Sequence, residues 1–391
     1  MAAITSRNVV GALVVLVLSW RIGSFINATG ELRQLHDVVA HTGRCTRMHQ
    51  RERGFEDIAR FDGSASISLS ADHSYFAMKF GISMRDMLKE KAKKGNEPPG
   101  VHGYWDGHWR QLKLGATTPT DFNPHGLAAR GRIGSSTASL LVVNHRATYD
   151  TIERFSIRDE HTLQHEQTLA HELLFNLNDC AFAETPGESD VVYCTNWRSY
   201  ETGTVMDAIE MYGQMPWSYV LRCRLTDGTC DKVASGISMA NGIAVRGNYV
   251  VVVSSTEPSL RVYKEAFGAF GARILELAYT IQTGAACDNL NWDGDNVLLA
   301  ACHPKALTFV RHSKAPRENP APCEVIRFEN VIDEARASGG PTAYPRAAFN
   351  ATTVYMDSTG RELSACSVAV RDDRGSLLIG AVHDHGLLQC K

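Results

Sequence analysis

Short apolar runs, separated by glycine, aspartate and asparagine, recur along most of the chain. They include residues 140–143, 191–193, 249–253, 297–300 and 377–379. Short apolar runs bounded by turn-forming residues are typical of β-strands, and long stretches with the 3.6-residue period of a helix are scarce. The pattern therefore predicts an all-β fold with short accessory helices.

A loose internal repeat organises these runs. In each unit one or two polar residues precede a hydrophobic residue, and a turn and an apolar run follow. Six segments fit the pattern, beginning at Glu56-Asp57-Ile58, His125-Gly126-Leu127, Asn178-Asp179-Cys180, Asn241-Gly242-Ile243, Asp288-Asn289-Leu290 and Cys366-Ser367-Val368. Their spacing of about 47 to about 78 residues suits a four-stranded propeller blade with insertions. We therefore expect a six-bladed β-propeller over residues 45–391.

A separate apolar segment precedes the repeat. Residues 9–20 lie between Arg7 and Arg21 and are too few for a comfortable bilayer span, but they match the hydrophobic part of a signal sequence. No small-residue cleavage motif follows. Residues 1–26 are therefore predicted to be a signal sequence or a retained membrane anchor, and residues 27–44 a linker or short helix. A buried strand or helix is the alternative interpretation of the run.

The charge balance limits the partners of the protein. The 391 residues carry 40 Lys and Arg against 43 Asp and Glu, a formal net charge of −3. No basic excess is present to hold nucleic acid. With 44% hydrophobic residues, the composition is that of a packed globular protein and excludes a disordered chain.

One segment departs from the β pattern. Val205, Ile209 and Tyr212 stand at helical spacing within residues 204–212, which predicts a short amphipathic helix. Its apolar face either packs against the propeller or lies on lipid.

Ten cysteines and two glycosylation sequons indicate the secretory pathway, with the protein either anchored by its N-terminal segment or extracellular. Cys45 begins the globular part and Cys390 nearly ends the chain, so a bond between them would close the whole fold. Cys223 and Cys230 flank a turn sequence and are either a disulfide or two buried thiols. The sequons begin at Asn27 and Asn350.

The repeat also carries the candidate chemistry. Equivalent positions in propeller blades ring one central axis, so polar residues at the start of each innermost strand converge at one mouth of the tunnel. This set comprises Glu56, Asn178, Asn241, Asp288 and Asn289. All five offer oxygen and together carry two negative charges, which favours calcium over magnesium or zinc. The alternative is that these Asn and Asp residues simply form turns.

A second oxygen set lies beside the first. Asp57 and Asp179 each follow one of the candidate ligands and would point elsewhere along the tunnel. Together with a backbone carbonyl near Leu127 they would hold a second, structural cation. Solvated turn aspartates are the alternative interpretation.

Two histidines belong to the second repeat unit. His125 occupies the repeat position, and His145 ends the apolar run of the same unit. Imidazoles that meet at the tunnel mouth would be able to take a proton from water. A purely structural role for either is the alternative.

These residues also carry a family likeness. The sequence resembles the paraoxonase/arylesterase family of calcium-dependent six-bladed propeller esterases and lactonases, from about Cys45 to Cys390. The matching stretches are Phe122-Asn123-Pro124-His125-Gly126, Val142-Val143-Asn144-His145, Asn176-Leu177-Asn178-Asp179, Ala240-Asn241-Gly242-Ile243, Asp288-Asn289, Cys302-His303-Pro304, Glu210-Met211-Tyr212 and Trp217-Ser218-Tyr219-Val220.

The resemblance implies a role for each set. A catalytic calcium would be bound by Glu56, Asn178, Asn241, Asp288 and Asn289, and a structural calcium by Asp57, Asp179 and the Leu127 carbonyl. His125 and His145 match the histidine dyad of the family, Cys45 and Cys390 its ring-closing disulfide, and Cys302 its free cysteine. The N-terminal run resembles the retained anchor of the family.

Two features depart from the family pattern. Asn196-Trp197-Arg198 stands where the family usually has Asn-Asp-His, which alters a stretch facing the tunnel. The resemblance also leaves several cysteines unexplained, namely Cys180, Cys194, Cys223, Cys230, Cys287, Cys323 and Cys366.

Together these observations predict a hydrolase of aryl esters and lactones with two calcium ions. The metal would stabilise the developing oxyanion, His125 would activate water, and His145 would support it. Glu56 or Asp288 is the alternative base. The rival functions are a gluconolactonase-like propeller hydrolase with one metal ion and a membrane-tethered, calcium-stabilised binding module without turnover.

Overall fold

β-Strands dominate the chain. The computed structural model describes residues 16, 19–21, 23–39, 45–62, 66–70, 100–105, 108–146 and 148–391. The strands are, in chain order, β1 (Val38–Val39), β2 (Cys45–Arg53), β3 (Ile58–Arg60), β4 (Ser66–Ser70), β5 (Gly100–Trp105), β6 (His108–Gln111), β7 (Lys113–Leu114), β8 (Pro124–Arg130), β9 (Ser139–His145), β10 (Asp150–Ile157), β11 (Thr162–Leu169), β12 (Leu177–Phe182), β13 (Val191–Asn196), β14 (Ser218–Arg224), β15 (Cys230–Ile237), β16 (Ala240–Arg246), β17 (Tyr249–Ser254), β18 (Ser259–Phe267), β19 (Arg273–Gln282), β20 (Ala286–Trp292), β21 (Val297–His303), β22 (Cys323–Glu329), β23 (Thr342–Pro345), β24 (Thr352–Asp357), β25 (Cys366–Arg371), β26 (Leu377–Ala381) and β27 (His385–Cys390).

The helices are short, as the sequence predicts. The α-helices are α1 (Val205–Tyr212), α2 (Ala306–Lys314) and α3 (Glu334–Ala337), and single 3₁₀ turns occupy Ala269–Gly271 and Arg346–Phe349. Residues 23–28 are also helical. Among the described residues, no helix combines the length and the apolar character needed to cross a bilayer. Most of the predicted hydrophobic segment 9–20 lies outside the described residues, so the division at residues 26 and 44 stays a prediction.

The described strands form six sheets. Their strand orders are β3-β4-β5-β6 (sheet I), β8-β9-β10-β11-β7 (sheet II), β12-β13-β14-β15 (sheet III), β16-β17-β18-β19-β23 (sheet IV), β20-β21-β22-β24-β1 (sheet V) and β25-β26-β27-β2 (sheet VI). Neighbouring strands are antiparallel, except that β7 and β23 add in parallel to the outer edges of sheets II and IV. The all-β prediction is confirmed.

The six sheets are arranged in a ring. The first strand of each of sheets I to V contacts the first strand of the next sheet, and β25 of sheet VI contacts β3 of sheet I. The buried apolar side chains form clusters between neighbouring sheets, for example Leu141 with Val192 between sheets II and III, and Ile58 with Val370 between sheets VI and I. Each of the six junctions holds one such cluster. An open row of six sheets has five junctions, so the sixth cluster closes a propeller-like ring.

The beginning of the chain supplies the outermost strand of the last sheet. Strand β2 pairs with β27 and sets Cys45 opposite Cys390. These two cysteines form a disulfide across a sequence separation of 345 residues. The bond joins the two ends of the ring, as the sequence predicts.

All ten cysteines are paired. Besides Cys45–Cys390, the disulfides are Cys180–Cys194, Cys223–Cys230, Cys287–Cys302 and Cys323–Cys366. The expectation of a free thiol at Cys302 is therefore wrong. Antiparallel pairing of β20 with β21 sets Cys302 directly opposite Cys287, with 3.8 Å between their Cα atoms. Cys223 and Cys230 are bonded for the same geometric reason, which decides between the two interpretations of that pair.

The segment before β2 is fixed to the ring. Arg33 makes a bidentate ion pair with the fully buried carboxylate of Glu324, at 2.7 and 3.1 Å. Thr29 is fully buried and its carbonyl accepts a hydrogen bond from Ala306. The two sequon residues, Asn27 and Asn350, are exposed, and their glycosylation stays a prediction.

Helix α1 turns its apolar side outward. The Thr204 hydroxyl caps it by accepting a hydrogen bond from the amide of Asp207. The side that faces the ring carries Asp207, Glu210 and Met211, while Val205 is 70% exposed. The predicted helix is confirmed, and its apolar face does not pack against the ring.

Candidate active site

Irregular pairing of the innermost strands positions the repeat residues. In sheets II to VI the register between the first and second strands shifts at the repeat position. In sheet V, for example, pairing stops at Cys287 and resumes at Leu290, so Asp288 and Asn289 leave the ladder together. Such bulges free side chains from the alternation of a regular strand.

Glycine at a repeat position allows neighbouring strands to approach. A Cβ atom at Gly242 would lie 2.5 Å from the carbonyl oxygen of Asp288 on the next innermost strand. Any larger residue would push the two bulges apart. Gly242, next to Asn241, therefore allows the bulge residues of neighbouring sheets to approach one another at the axis of the ring.

The five predicted oxygen donors are brought together. Glu56, Asn178, Asn241 and Asp288 line one cavity of about 130 Å3 at the axis. Asn289 joins them because its amide Nδ2 donates to Oε1 of Glu56 at 2.7 Å and to the Glu56 carbonyl at 3.1 Å. All five residues are at most 7% exposed.

Four oxygens of this set are buried without a donor. Oε2 of Glu56 and Oδ1 of Asn178, Asn241 and Asn289 have no hydrogen-bond partner among the described residues. Buried acceptors of this kind are rare in folded proteins and cost free energy. Because each of the four is an acceptor, a cation satisfies them together. In the described part of the chain no three His, Cys, Asp or Glu side chains form a metal cluster by themselves, so this site depends on amide oxygens.

The Glu56 carboxylate is buried beside other carboxylates. Burial, followed by repulsion from Asp57 and Asp288, raises the pKa of Glu56 well above its usual value. A buried carboxylate in this position requires either a proton or a positive partner. The donor set, with carboxylate and amide oxygens, fits a hard divalent cation.

The second predicted set lies in a different cavity from the first. Asp57, Asp179 and Leu127 line a separate cavity of about 510 Å3. Asp57 accepts the Leu127 amide at 2.7 Å, and Asp179 accepts the Ile243 amide at 3.0 Å. Each carboxylate thus joins its own sheet to the next. Both are buried, which excludes solvated turn residues, and burial raises the pKa of Asp57 to about 7.

The two predicted histidines meet at the first cavity. The ring centroids of His125 and His145 are 4.9 Å apart. Nδ1 of His145 lies 3.0 Å from Oδ1 of Asp150, and Oδ2 of Asp150 accepts the Leu177 amide at 2.9 Å. The Asp150 carboxylate is therefore fixed on both oxygens and orients the His145 ring.

His125 lies against the candidate metal ligands. Its Nε2 is 3.2 Å from Nδ2 of Asn178 and 3.8 Å from Oε1 of Glu56. Burial, followed by repulsion from His145 and His383, lowers the pKa of His125 well below its usual value. The imidazole is therefore neutral at pH 7 and able to accept a proton.

Other residues contribute to the site although the repeat pattern does not indicate them. Nε2 of His303 lies 3.0 Å from Oδ2 of Asp288, and its ring stacks on Phe309 at 3.8 Å. Phe25 and Thr29 of the N-terminal segment also line the cavity. The sequence held a clue to His303, because it ends the second strand of its sheet as His145 does.

Comparisons with known proteins agree with this arrangement. Residues 81–391 match the arylesterase family. The chain is 29% identical over 375 residues to serum paraoxonase/arylesterase 2 of Gallus gallus, covering 94% of this chain and 92% of that protein. It is 31% identical over 290 residues to serum paraoxonase/arylesterase 1 of Homo sapiens, covering 72% of each.

The matches and the site define an enzyme of the esterase/lactonase class. A propeller-like ring of sheets surrounds a buried axial pocket that holds paired imidazoles beside acceptor oxygens. More particularly, the chain belongs to the arylesterase family. The alternative of a binding module without turnover is therefore not favoured.

Proposed function

We propose that this protein is a calcium-dependent hydrolase of aryl esters and lactones, and that its six sheets are the blades of a six-bladed propeller. The observation that carries the proposal is the group of four buried acceptor oxygens beside the paired imidazoles of His125 and His145 at the axis. Family membership supplies the reaction class.

Calcium is the ion that suits the donor set. Glu56, Asn178, Asn241, Asp288 and Asn289 would hold the catalytic calcium. Calcium accepts six to eight oxygens in flexible geometry, whereas magnesium demands a tight octahedron and zinc prefers nitrogen or sulfur. We assign a second, structural calcium to Asp57, Asp179 and the Leu127 carbonyl, because the two buried carboxylates line one cavity. Burial, followed by repulsion from Asp57, raises the pKa of Asp179 well above its usual value.

The catalytic calcium, when bound, supplies Lewis-acid stabilisation of the negative charge that develops on the ester carbonyl oxygen. His125 acts as the general base and takes a proton from the attacking water. The Asp150 carboxylate holds His145, and His145 in turn supports His125 as positive charge develops on it.

A chelator-controlled hydrolysis panel tests the proposal. Phenyl acetate and a series of aliphatic lactones are assayed with and without a calcium chelator, and bound calcium is counted per chain. We expect hydrolysis that stops on chelation and returns with calcium, with two ions per chain. One ion per chain favours a gluconolactonase-like site instead, and hydrolysis that persists in the chelator contradicts the metal assignment.

Replacing His125 with Gln is expected to lower kcat roughly 10²-fold. Glutamine keeps a polar group beside Asn178 but cannot take the proton, while the calcium ligands stay intact. Phenyl acetate turnover at saturating calcium provides the measurement. The matched control is His36→Gln, since His36 is exposed. Unchanged turnover in the His125 variant would move the base role to Glu56 or Asp288.

The stability of the chelated protein is expected to fall as the pH rises from about 5 to about 7. The folded-state pKa of Asp57, about 7, is above its unfolded value of about 3.9. The folded state therefore binds more protons than the unfolded state in this window, and stability is lost on deprotonation. Calcium binds the ionised carboxylates, so its stabilising effect grows over the same window.

Thermal unfolding at several pH values, with calcium and with chelator, measures the difference between the two melting temperatures. We expect the difference to widen from pH 5 to pH 8. A difference that stays constant would show that the buried carboxylates do not titrate with calcium binding.

We further propose that the protein works at a lipid surface in the secretory pathway or outside the cell. The five disulfides suit an oxidising compartment. The apolar face of α1 is turned outward, and Ile209 on it is 41% exposed. The helix lies beside the N-terminal segment, because the ring centroids of Tyr212 and Phe25 are 5.8 Å apart. Vesicle flotation of the full chain tests this attachment.

A further inference from the structure

The wall of the axial cavity carries two buried donors without acceptors. They are Nε1 of the Trp197 indole and Nε of the Arg198 guanidinium, and neither has a hydrogen-bond partner among the described residues. Both residues line the cavity. The Arg198 side chain is fully buried, which is rare for arginine unless a partner satisfies it.

The same two residues are otherwise firmly held. The Trp197 amide donates to the Asn176 carbonyl at 2.7 Å, and the Trp197 carbonyl accepts the Ser218 hydroxyl at 2.8 Å. Nη1 of Arg198 pairs with Asp207, and the guanidinium lies 3.7 Å above the centroid of the Trp197 ring. Two fixed donors beside a cavity are preorganised for an acceptor that comes from outside the chain.

The cavity thus has two polar regions, one with unpaired hydrogen-bond acceptors and one with unpaired donors. Acceptor oxygens of Glu56, Asn178 and Asn241 belong to the proposed cation site, while the donors are at Trp197 and Arg198. Apolar side chains complete the walls, including Leu177, Met211, Met239, Phe309 and Val310. A ligand that satisfies this cavity has an oxygen at the cation site, an apolar body, and a second acceptor.

The charge around Arg198 favours a neutral acceptor. The guanidinium is already paired with Asp207, and the buried Glu210 carboxylate, which accepts the Ser199 amide at 3.0 Å, is a second anion beside it. With two carboxylates near one guanidinium, no net positive charge is left to attract a third carboxylate. A carbonyl oxygen accepts the same hydrogen bonds without that repulsion.

We propose that Trp197 and Arg198 bind a second, neutral carbonyl oxygen of the substrate, so that the preferred substrates are esters or lactones whose acyl chain carries a carbonyl remote from the scissile bond. The inference rests on the proposed hydrolase function. It assigns a substrate class to the stretch that departs from the family pattern.

A matched ester series tests the preference. Phenyl octanoate is compared with its 4-, 5-, 6- and 7-oxo derivatives and with the monophenyl ester of octanedioic acid, whose far end is a carboxylate. We expect one oxo position to raise kcat/KM about tenfold or more over phenyl octanoate, chiefly through KM, because the buried donors are satisfied by the oxo substrate alone. The carboxylate ester should gain nothing. The same kcat/KM for phenyl octanoate and all of its oxo derivatives would overturn the inference.

Two variants assign the preference to these residues. Trp197→Phe keeps the ring under the guanidinium and removes the N–H, and Arg198→Lys keeps the charge opposite Asp207 and removes Nε–H. Each should reduce the ratio of oxo to plain ester kcat/KM about three- to tenfold. The control Trp217→Phe makes the same chemical change at a tryptophan that is 36% exposed and should leave the ratio unchanged. A ratio that stays at the wild-type value in both test variants would contradict the assignment.

A binding measurement separates this inference from the hydrolase proposal. In 1-phenylnonan-2-one a methylene replaces the ester oxygen, and its diketone derivative carries the second carbonyl at the preferred position. Calorimetry should show tighter binding of the diketone to the wild type, with the preference lost in Trp197→Phe. Selective binding without turnover of any ester would reject the hydrolase and keep only the binding of a second carbonyl by Trp197 and Arg198. Turnover without selective binding would reject the inference and keep the hydrolase.

Discussion

Glu56→Gln is expected to stabilise the chelated protein while abolishing activity in the presence of calcium. The Glu56 carboxylate is buried among other carboxylates, so removing its charge should raise the free energy of unfolding of the calcium-free protein by about 1–3 kcal/mol. The same change removes a charged ligand from the proposed site. We expect weaker calcium binding and a fall in kcat of at least about 10³-fold, because charge stabilisation by the metal is lost.

Calcium titration, thermal unfolding and phenyl acetate turnover on one preparation measure all three effects. Glu318→Gln is the matched control, since Glu318 is exposed and the substitution removes the same charge. The decisive result is a gain in stability of the calcium-free protein together with a loss of calcium binding and activity. A Glu56 variant that is destabilised both with and without calcium would identify Glu56 as a structural residue rather than a ligand.

Replacing Cys45 and Cys390 with alanine is expected to lower the free energy of unfolding by about 5 kcal/mol. The disulfide closes a loop with a sequence separation of 345 residues, and in the chain-entropy model the restriction of the unfolded chain grows with the logarithm of loop length. The ring also loses its covalent closure between β2 and β27. We expect the double variant to be the least stable of the five possible disulfide deletions.

The matched control is the Cys223/Cys230 double alanine variant, which removes the same chemical groups across a separation of 7 residues. Its expected cost is about 2 kcal/mol. Guanidinium unfolding under non-reducing conditions gives both values. Equal losses for the two pairs would mean that the ring does not depend on its long-range closure.

The sequence predicts the axis of the molecule better than its periphery. Residues such as Asn178 and Asp288 were identified because a repeat places equivalent residues around one centre, and the structure brings them to one cavity. The positions of the bulges could not be derived from the sequence, since the neighbouring strand determines which two residues are left out of the strand pairing. Gly242 shows this, because its lack of a Cβ matters only where Asp288 approaches.

Other features depend on contacts between distant parts of the chain. Cys302 was expected to be free because the family resemblance implied it, whereas its partner is decided by the register of β20 against β21. Phe25 lines the cavity together with residues that are far from it in sequence, and no local sequence pattern predicts this contact. The burial of Arg198 was equally hidden, because its ion pair with Asp207 forms only when α1 folds against the ring.

The complete pairing of the cysteines has a practical consequence. Thiol-specific reagents such as mercurials find no free thiol on the oxidised protein, so inhibition by such compounds would show that a disulfide had been reduced. A cysteine introduced at Val205, on the outward face of α1, would be the sole reactive thiol. A polarity-sensitive dye attached there would follow contact of that face with vesicles directly, without competing labels elsewhere on the protein.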